Sequence, residues 1–219
     1  QLGHKFMELG PVLSPSKVDT MKGIKMKQVC AGYAHMMLLT SKGELFAWGN
    51  NAHGQLGTGD GKERTKPTPI NAFRGSPVTL IACGQQSSYA VNEAGGVFAW
   101  GYNGNYELGL GQPTNRNSPQ PLKSLEGTNI TAIAPGGYHV LASDDNGKLY
   151  SWGNNQHGQL GLGHTKGPIQ IPTEVQGMPP VAKAGGGTSG QDVIASGTWH
   201  SCALTQEGRL YTWGRGNYG

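Results

Sequence analysis

The sequence LFAWGNNAHGQLG, from Leu45 to Gly57, is written again as VFAWGYNGNYELG from Val97 to Gly109 and as LYSWGNNQHGQLG from Leu149 to Gly161. A fourth copy, LYTWGRGNYG, runs from Leu210 to Gly219. The Trp-Gly pairs stand at Trp48, Trp100, Trp152 and Trp213, at intervals of 52, 52 and 61 residues. A period of that length marks supersecondary units that cannot hide their apolar faces alone and must stack on one another. Cut before each Gln or Glu of the closing triplet, the chain divides into units Gln1–Gly54, Gln55–Tyr106, Glu107–Gly158 and Gln159–Gly219, with Gln1-Leu2-Gly3 matching the triplet that follows each Trp.

Each unit has the same local grammar. In the first, Gln28-Val29-Cys30-Ala31 reads as a strand ending at Gly32, His35 to Thr40 as the next, Ser41-Lys42-Gly43 as a hairpin turn and Glu44 to Trp48 as the returning strand. Gly32, Gly84, Gly136 and Gly197 each lie sixteen residues before their Trp, and Gly43, Gly95, Gly147 and Gly208 mark the hairpins. Such spacing suits glycines that take positive φ or let neighbouring backbones approach closely. Pro67 and Pro69 match Pro119 and Pro121, with Pro172 one position off, and proline there fits an edge strand because it cannot donate to a central ladder. No sustained 3.6-residue apolar pattern occurs, and 37 Gly with only 14% charged residues fit short strands better than helices. The expectation is an all-β chain of small twisted sheets stacked radially.

The pattern of a strand ending in Gly, a His-bearing strand, a glycine hairpin, an aromatic-x-Trp-Gly strand and Gly-Gln-Leu-Gly closely resembles the repeat of the regulator of chromosome condensation family, from end to end of the chain. The resemblance implies a β-propeller of seven blades, of which these four units form an open arc with unstacked apolar faces at its ends. It also implies that the surface serves recognition: a protein-interaction module or scaffold, or alternatively an exchange factor that speeds GDP release from a Ran-type small GTPase, or a chromatin-binding propeller. The family's exchange wedge, a projecting hairpin, has no match here.

The remaining residues argue against chemistry of the chain's own. His35, His139 and His200 share one repeat position, so they belong to the blade's hydrogen bonding rather than to general base catalysis. No HExxH motif, paired metal-ligand set, nucleophile elbow or phosphate loop occurs, so no catalytic residue, metal or cofactor is expected. Asp144-Asp145-Asn146-Gly147 lacks the spacing of a calcium loop and is expected to be a hairpin turn. Cys30, Cys83 and Cys202 form an odd set without CxxC spacing and read as small buried strand residues, in keeping with a reducing, intracellular setting in cytoplasm or nucleus. The net charge of +4 and the scattered Lys17, Lys22, Lys25 and Lys27 do not make a nucleic-acid patch, and no apolar run is long enough to span a membrane.

Trp48, Trp100, Trp152 and Trp213 are expected to pack between blades. Trp199, outside that frame, is the leading candidate for a partner contact on an exposed loop. The nine extra residues of the fourth unit (61 against 52) are placed in Ala182–Asp192. That loop supplies Lys183, Thr188, Ser189, Gln191 and Asp192 as further candidate contacts, since insertions in repeat proteins map to binding faces.

Overall fold

Burial of side chains on both faces of the central strands in the first three sheets is the pattern that decides the architecture. In the computed structural model, which describes residues 14–15, 17–184 and 192–217, the chain folds into successive antiparallel meanders. The first sheet orders β1 (Met26–Ala31), β2 (His35–Thr40), β3 (Leu45–Gly49) and β4 (Arg64–Pro69). The second repeats this with β5 (Val78–Cys83), β6 (Ser87–Asn92), β7 (Val97–Gly101) and β8 (Arg116–Pro121). The third uses β9 (Ile130–Pro135), β10 (His139–Asp144), β11 (Leu149–Gly153) and β12 (Ile169–Glu174). The fourth shows three strands among the described residues, β13 (Ile194–Ser196), β14 (His200–Leu204) and β15 (Leu210–Gly214). The prolines fall where their missing N–H is tolerated, on the outer strands β4, β8 and β12. Each outer strand follows a Gln-Leu-Gly or Glu-Leu-Gly triplet, so a sheet straddles the boundaries at which the sequence units were cut.

The inner strands β1, β5, β9 and β13 pack in turn on one another, and the sheets face each other as propeller blades. Every residue of β6 and β10 is buried. Tyr89 and Val91 of β6 pack towards Ile133, Val140 and Trp152 of the third blade, whereas Ala90, with Ile81 and Trp100, packs towards Met37, Leu39, Leu45 and Ala47 of the first. Ala134, Leu141 and Leu149 in turn meet Ile194, Ala203 and Trp213 of the fourth. Trp100 and Trp152 are fully buried; each withdraws on the order of 200 Å² from water, worth roughly 5 kcal/mol at ~25 cal/mol per Å².

The flanks of the array are open. Val29 of the first blade is 58% exposed, although its repeat counterparts Ile81 and Ile133 are covered completely by a preceding blade. Leu210 of the fourth is 67% exposed, where Leu45, Val97 and Leu149 are buried by a following one. Beside Val29, Met21, Ile24, Met26 and Trp48 border a groove of about 580 Å³ on this flank.

The two glycine rows divide between the two reasons for glycine. The hairpin row takes positive φ, +78° at Gly43 and +81° at Gly147. The strand-ending row does not, and there close approach is the cause: a Cβ on Gly32 would sit 2.3 Å from Cε1 of His35 and 2.5 Å from the backbone oxygen of Gly84 in the next blade. Asp144 caps a hairpin as expected, its Oδ1 accepting from the backbone N–H groups of Asn146 and Lys148 at 3.0 and 2.9 Å.

The fourth-unit insertion interrupts an inner strand rather than extending a loop between strands. Val181 donates to the carbonyl of Gly147 at 2.8 Å, as Val78 at the start of β5 does to that of Gly43 at 2.9 Å. The strand then breaks after Ala182, which donates to Leu204, and resumes at Val193, whose carbonyl accepts from the same Leu204.

Candidate protein-interaction face

The blades are fastened to one another by one repeated joint. The carbonyl of Gln55 accepts from Trp100 Nε1 at 3.0 Å and from Ser88 Oγ at 2.8 Å, both in the following blade. The carbonyl of Gln159 accepts likewise from Trp213 Nε1 at 2.8 Å and Ser201 Oγ at 2.7 Å. At the middle joint, where Val140 replaces the serine, Glu107 accepts from Trp152 Nε1 at 2.6 Å and from the Tyr89 hydroxyl at 2.8 Å. Gly57, Gly109 and Gly161 lie against the indoles of Trp100, Trp152 and Trp213, so close that a Cβ would come within about 3 Å of each Nε1. The Gln-Leu-Gly triplet is therefore the seat for the next blade's tryptophan.

The exchange of Gln for Glu at position 107 has a local cause. Gln55 and Gln159 donate their amides to Asn50 and Asn154 at 2.9 Å and accept from the N–H groups of His53 and His157. Tyr102 stands where an Asn acceptor would be, so a carboxylate serves instead, taking both the backbone N–H and the side-chain amide of Asn105 at 2.8 and 2.9 Å. Burial pushes the Glu107 carboxyl up from its ordinary value, against those two hydrogen bonds.

His35 and His139 act across the seam rather than within their own blades, which changes the role expected from their repetition. Nε2 of His35 lies 2.9 Å from Ser88 Oγ, and Nε2 of His139 lies 2.7 Å from Ser201 Oγ. Each serine donates its proton to a Gln carbonyl, so each Nε2 carries the hydrogen and donates to the serine. The Nδ1 atoms are buried without a partner. Burial lowers both imidazoles to a pKa of about 4. These His–Ser pairs cannot act as base and nucleophile: the serines are inaccessible and their protons are committed to carbonyls. His200, at the same repeat position, is exposed.

One end of the blades carries the turns between first and second strands and the long loops between third and fourth. Here the side chains turn aromatic. Tyr138 and Trp199 stack at 4.6 Å with 28° between their planes, and His157 meets Trp199 edge-on at 5.2 Å. His53 meets Tyr102 edge-on at 5.1 Å, and Tyr33 projects with 76% exposure. Trp199 is thus half-buried in a stack joining the third and fourth blades, not a free loop residue. It is not brought together with the insertion: Lys183 and Asp192, both exposed, lie at the opposite end of β13. Thr188, Ser189 and Gln191 fall outside the described residues. Among the described residues no group of three or more His, Cys, Asp or Glu could hold a metal, and no helix is long and apolar enough to cross a membrane. The Tyr138 stack was legible only as separate aromatics, because its partner sits one unit away.

Four-stranded meanders stacked through inner strands and joined by a tryptophan in a glycine-lined seat define an array of β-propeller blades. The chain belongs to the RCC1-like family: the RCC1-like domain matches residues 1–191 and the regulator of chromosome condensation (RCC1) repeat matches residues 193–219. It is 32% identical over 219 residues to the ultraviolet-B receptor UVR8 of Arabidopsis thaliana, covering all of this chain and 47% of that protein. It is 36% identical to the mitochondrial RCC1 domain-containing protein RUG3 of the same plant, covering 97% of this chain and 47% of that one. The chain thus spans about half the length of these curated relatives. Among solved structures, human WBSCR16 superimposes with a TM-score of 0.75 at 28% identity over 87% of this chain and 47% of that one. Yeast RCC1 (Prp20), solved bound to Kap60, gives 0.73 at 26% over 88% and 44%.

Proposed function

We propose that this chain is a recognition surface without covalent chemistry of its own, part of an intracellular propeller scaffold. The half-buried Tyr138–Trp199–His157 stack carries the reading. Aromatic side chains fixed by their neighbours offer large contact area at small entropic cost, the property of residues that dominate protein interfaces. The buried His–Ser pairs support it from the other side, since the groups that most resemble catalysts are committed to holding blades together. Yeast RCC1, solved bound to Kap60, is a precedent, in a structurally similar protein, for a member of this family engaging a protein partner. The insertion, with Lys183, Thr188, Ser189, Gln191 and Asp192, supplies a second contact region that reaches a partner independently of Trp199.

The deciding experiment measures release of fluorescent GDP from a panel of small GTPases, alongside binding to nucleosomes across a salt series. The scaffold reading expects neither acceleration nor a steep salt slope. Acceleration well above the spontaneous rate for a Ran-type GTPase would replace it with the exchange reading, and affinity falling steeply with salt would replace it with chromatin binding.

A further inference from the structure

Around Cys30 the inner strands of the first two blades bring together residues 53 apart, one more than the sequence period, and this shift places two thiols face to face. Cys30 Sγ lies 2.7 Å from Cys83 Sγ, nearer than unbonded sulfurs rest and above the ~2.05 Å of a disulfide. The approach does not depend on those side chains alone. Two residues earlier, the Gln28 side chain grips Ile81 twice, its amide donating to the carbonyl at 2.8 Å and its oxygen accepting from the N–H at 3.1 Å. Three residues later, the Tyr33 N–H donates to the carbonyl of Gln85 at 3.0 Å. Lys27 Nζ adds a bond to the carbonyl of Thr79 at 3.0 Å. The backbones on either side of the pair are thus clamped. The same seam positions hold Ala82 and Pro135 between the second and third blades, and Ala134 and Ser196 between the third and fourth.

We propose that Cys30 and Cys83 form a reversible disulfide that staples the first blade to the second, with a low-molecular-weight disulfide such as oxidised glutathione as the oxidant. Cys30 is half-exposed and Cys83 is buried, so the order of steps follows from access. The Cys30 thiolate, its proton lost to solvent, attacks one sulfur of oxidised glutathione and expels one glutathione thiolate, leaving a mixed disulfide on Cys30. Cys83 then attacks the Cys30 sulfur, expelling the second glutathione thiolate and losing its own proton to solvent. Both released thiolates can take up the protons. Two protein thiols are oxidised and one glutathione disulfide is reduced to two thiols. Burial and the neighbouring Cys30 push the Cys83 thiol well up from its ordinary value, which makes the second step the slower one. Cys202, on β14, has no thiol opposite it and takes no part.

The test incubates the purified protein with oxidised or reduced glutathione, quenches with acid, blocks free thiols with N-ethylmaleimide under denaturing conditions, and maps unreduced peptides by mass spectrometry. The expected result is a linked Cys30–Cys83 peptide with Cys202 alkylated, and a rise in Tm on the order of 5 °C that dithiothreitol reverses. Cys83→Ala abolishes both, and Cys30→Ala repeats the control at the less buried partner should the first variant fold poorly. A stable glutathione adduct on Cys30 with Cys83 alkylated, a disulfide between two copies of the chain, or a Tm rise that persists in Cys30→Ala would overturn the assignment.

Discussion

Protonation of the two seam histidines sets how the array responds to acid. His35 and His139 are buried with Nε2 donating to a serine and Nδ1 bare, so a second proton would put an unpartnered cationic N–H into the interior. Each group falls from 6.5 to about 4 in the fold. Because the folded values are depressed, the unfolded chain binds more protons between these limits. The stabilisation is therefore complete above about pH 6.5 and is lost as pH falls towards 4. At about pH 5 the difference amounts to about 2 kcal/mol per histidine, or about 4 kcal/mol for the pair. Urea unfolding followed by tryptophan fluorescence at about pH 8 and about pH 5 measures it. Other carboxylates and histidines titrate in the same window, so the informative quantity is the change between the two pH values in wild type minus that in the double variant His35→Gln/His139→Gln. Glutamine keeps an amide donor for the serine and cannot take up a proton. We expect the acid-induced loss to shrink by about 4 kcal/mol in the double variant. An equal loss in both proteins would refute the buried, neutral state of these rings.

Trp199→Ala should weaken partner binding at least tenfold while leaving the far-UV spectrum and Tm within a few degrees of wild type, because the side chain is only half-buried; loss of folded protein would instead make Trp199 a structural member of the fourth blade. Gly84→Val should cost about 3 kcal/mol or more in urea unfolding, since a Cβ there would lie 2.5 Å from Ser87 Oγ and 3.1 Å from Pro135 Cβ of the next blade; unchanged stability would show that the strands can part without penalty. Trp152→Phe should cost about 1 kcal/mol, because the Glu107 carbonyl keeps the Tyr89 hydroxyl when the indole N–H is lost, whereas Trp152→Ala should cost about 3–5 kcal/mol through its cavity. Equal losses in the two variants, measured by the same urea titration, would mean that the hydrogen bond and not the packing holds that joint.

The strands, hairpins and edge prolines were readable in the sequence because each depends on residues a few positions apart. Gly43 and His35 announce themselves in that way. What joins one blade to the next was less readable. The role of His35 is decided by Ser88, 53 residues away, and the pairing of Cys30 with Cys83 follows the same register, one step off the 52-residue period. In-frame comparison aligns Cys30 with Ala82 and so separates the thiols that the seam unites. The site shows the same division. Trp199 stood out as a tryptophan outside the Trp-Gly frame, but its anchoring by Tyr138 and His157 depends on loops from two blades. The 61-residue length of the fourth unit pointed to the insertion, yet its place along an inner strand came from backbone bonds of Val181, Ala182 and Leu204, for which Ala182–Asp192 offers no local pattern.

The joint between blades is directional: one blade offers a carbonyl and a glycine seat, and the next supplies the indole, joined at the first and third joints by a serine hydroxyl of that same next blade. Two blades cannot exchange these parts, so the contact is heterologous, and a heterologous contact repeats along a line until rotation returns it to its start. Nothing in Gln55, Trp100 or Ser88 counts the members of the series. Gain or loss of a whole unit by duplication or deletion leaves every surviving joint chemically intact, and ring size becomes a matter of the small angle set at each seam rather than of any residue dedicated to closure.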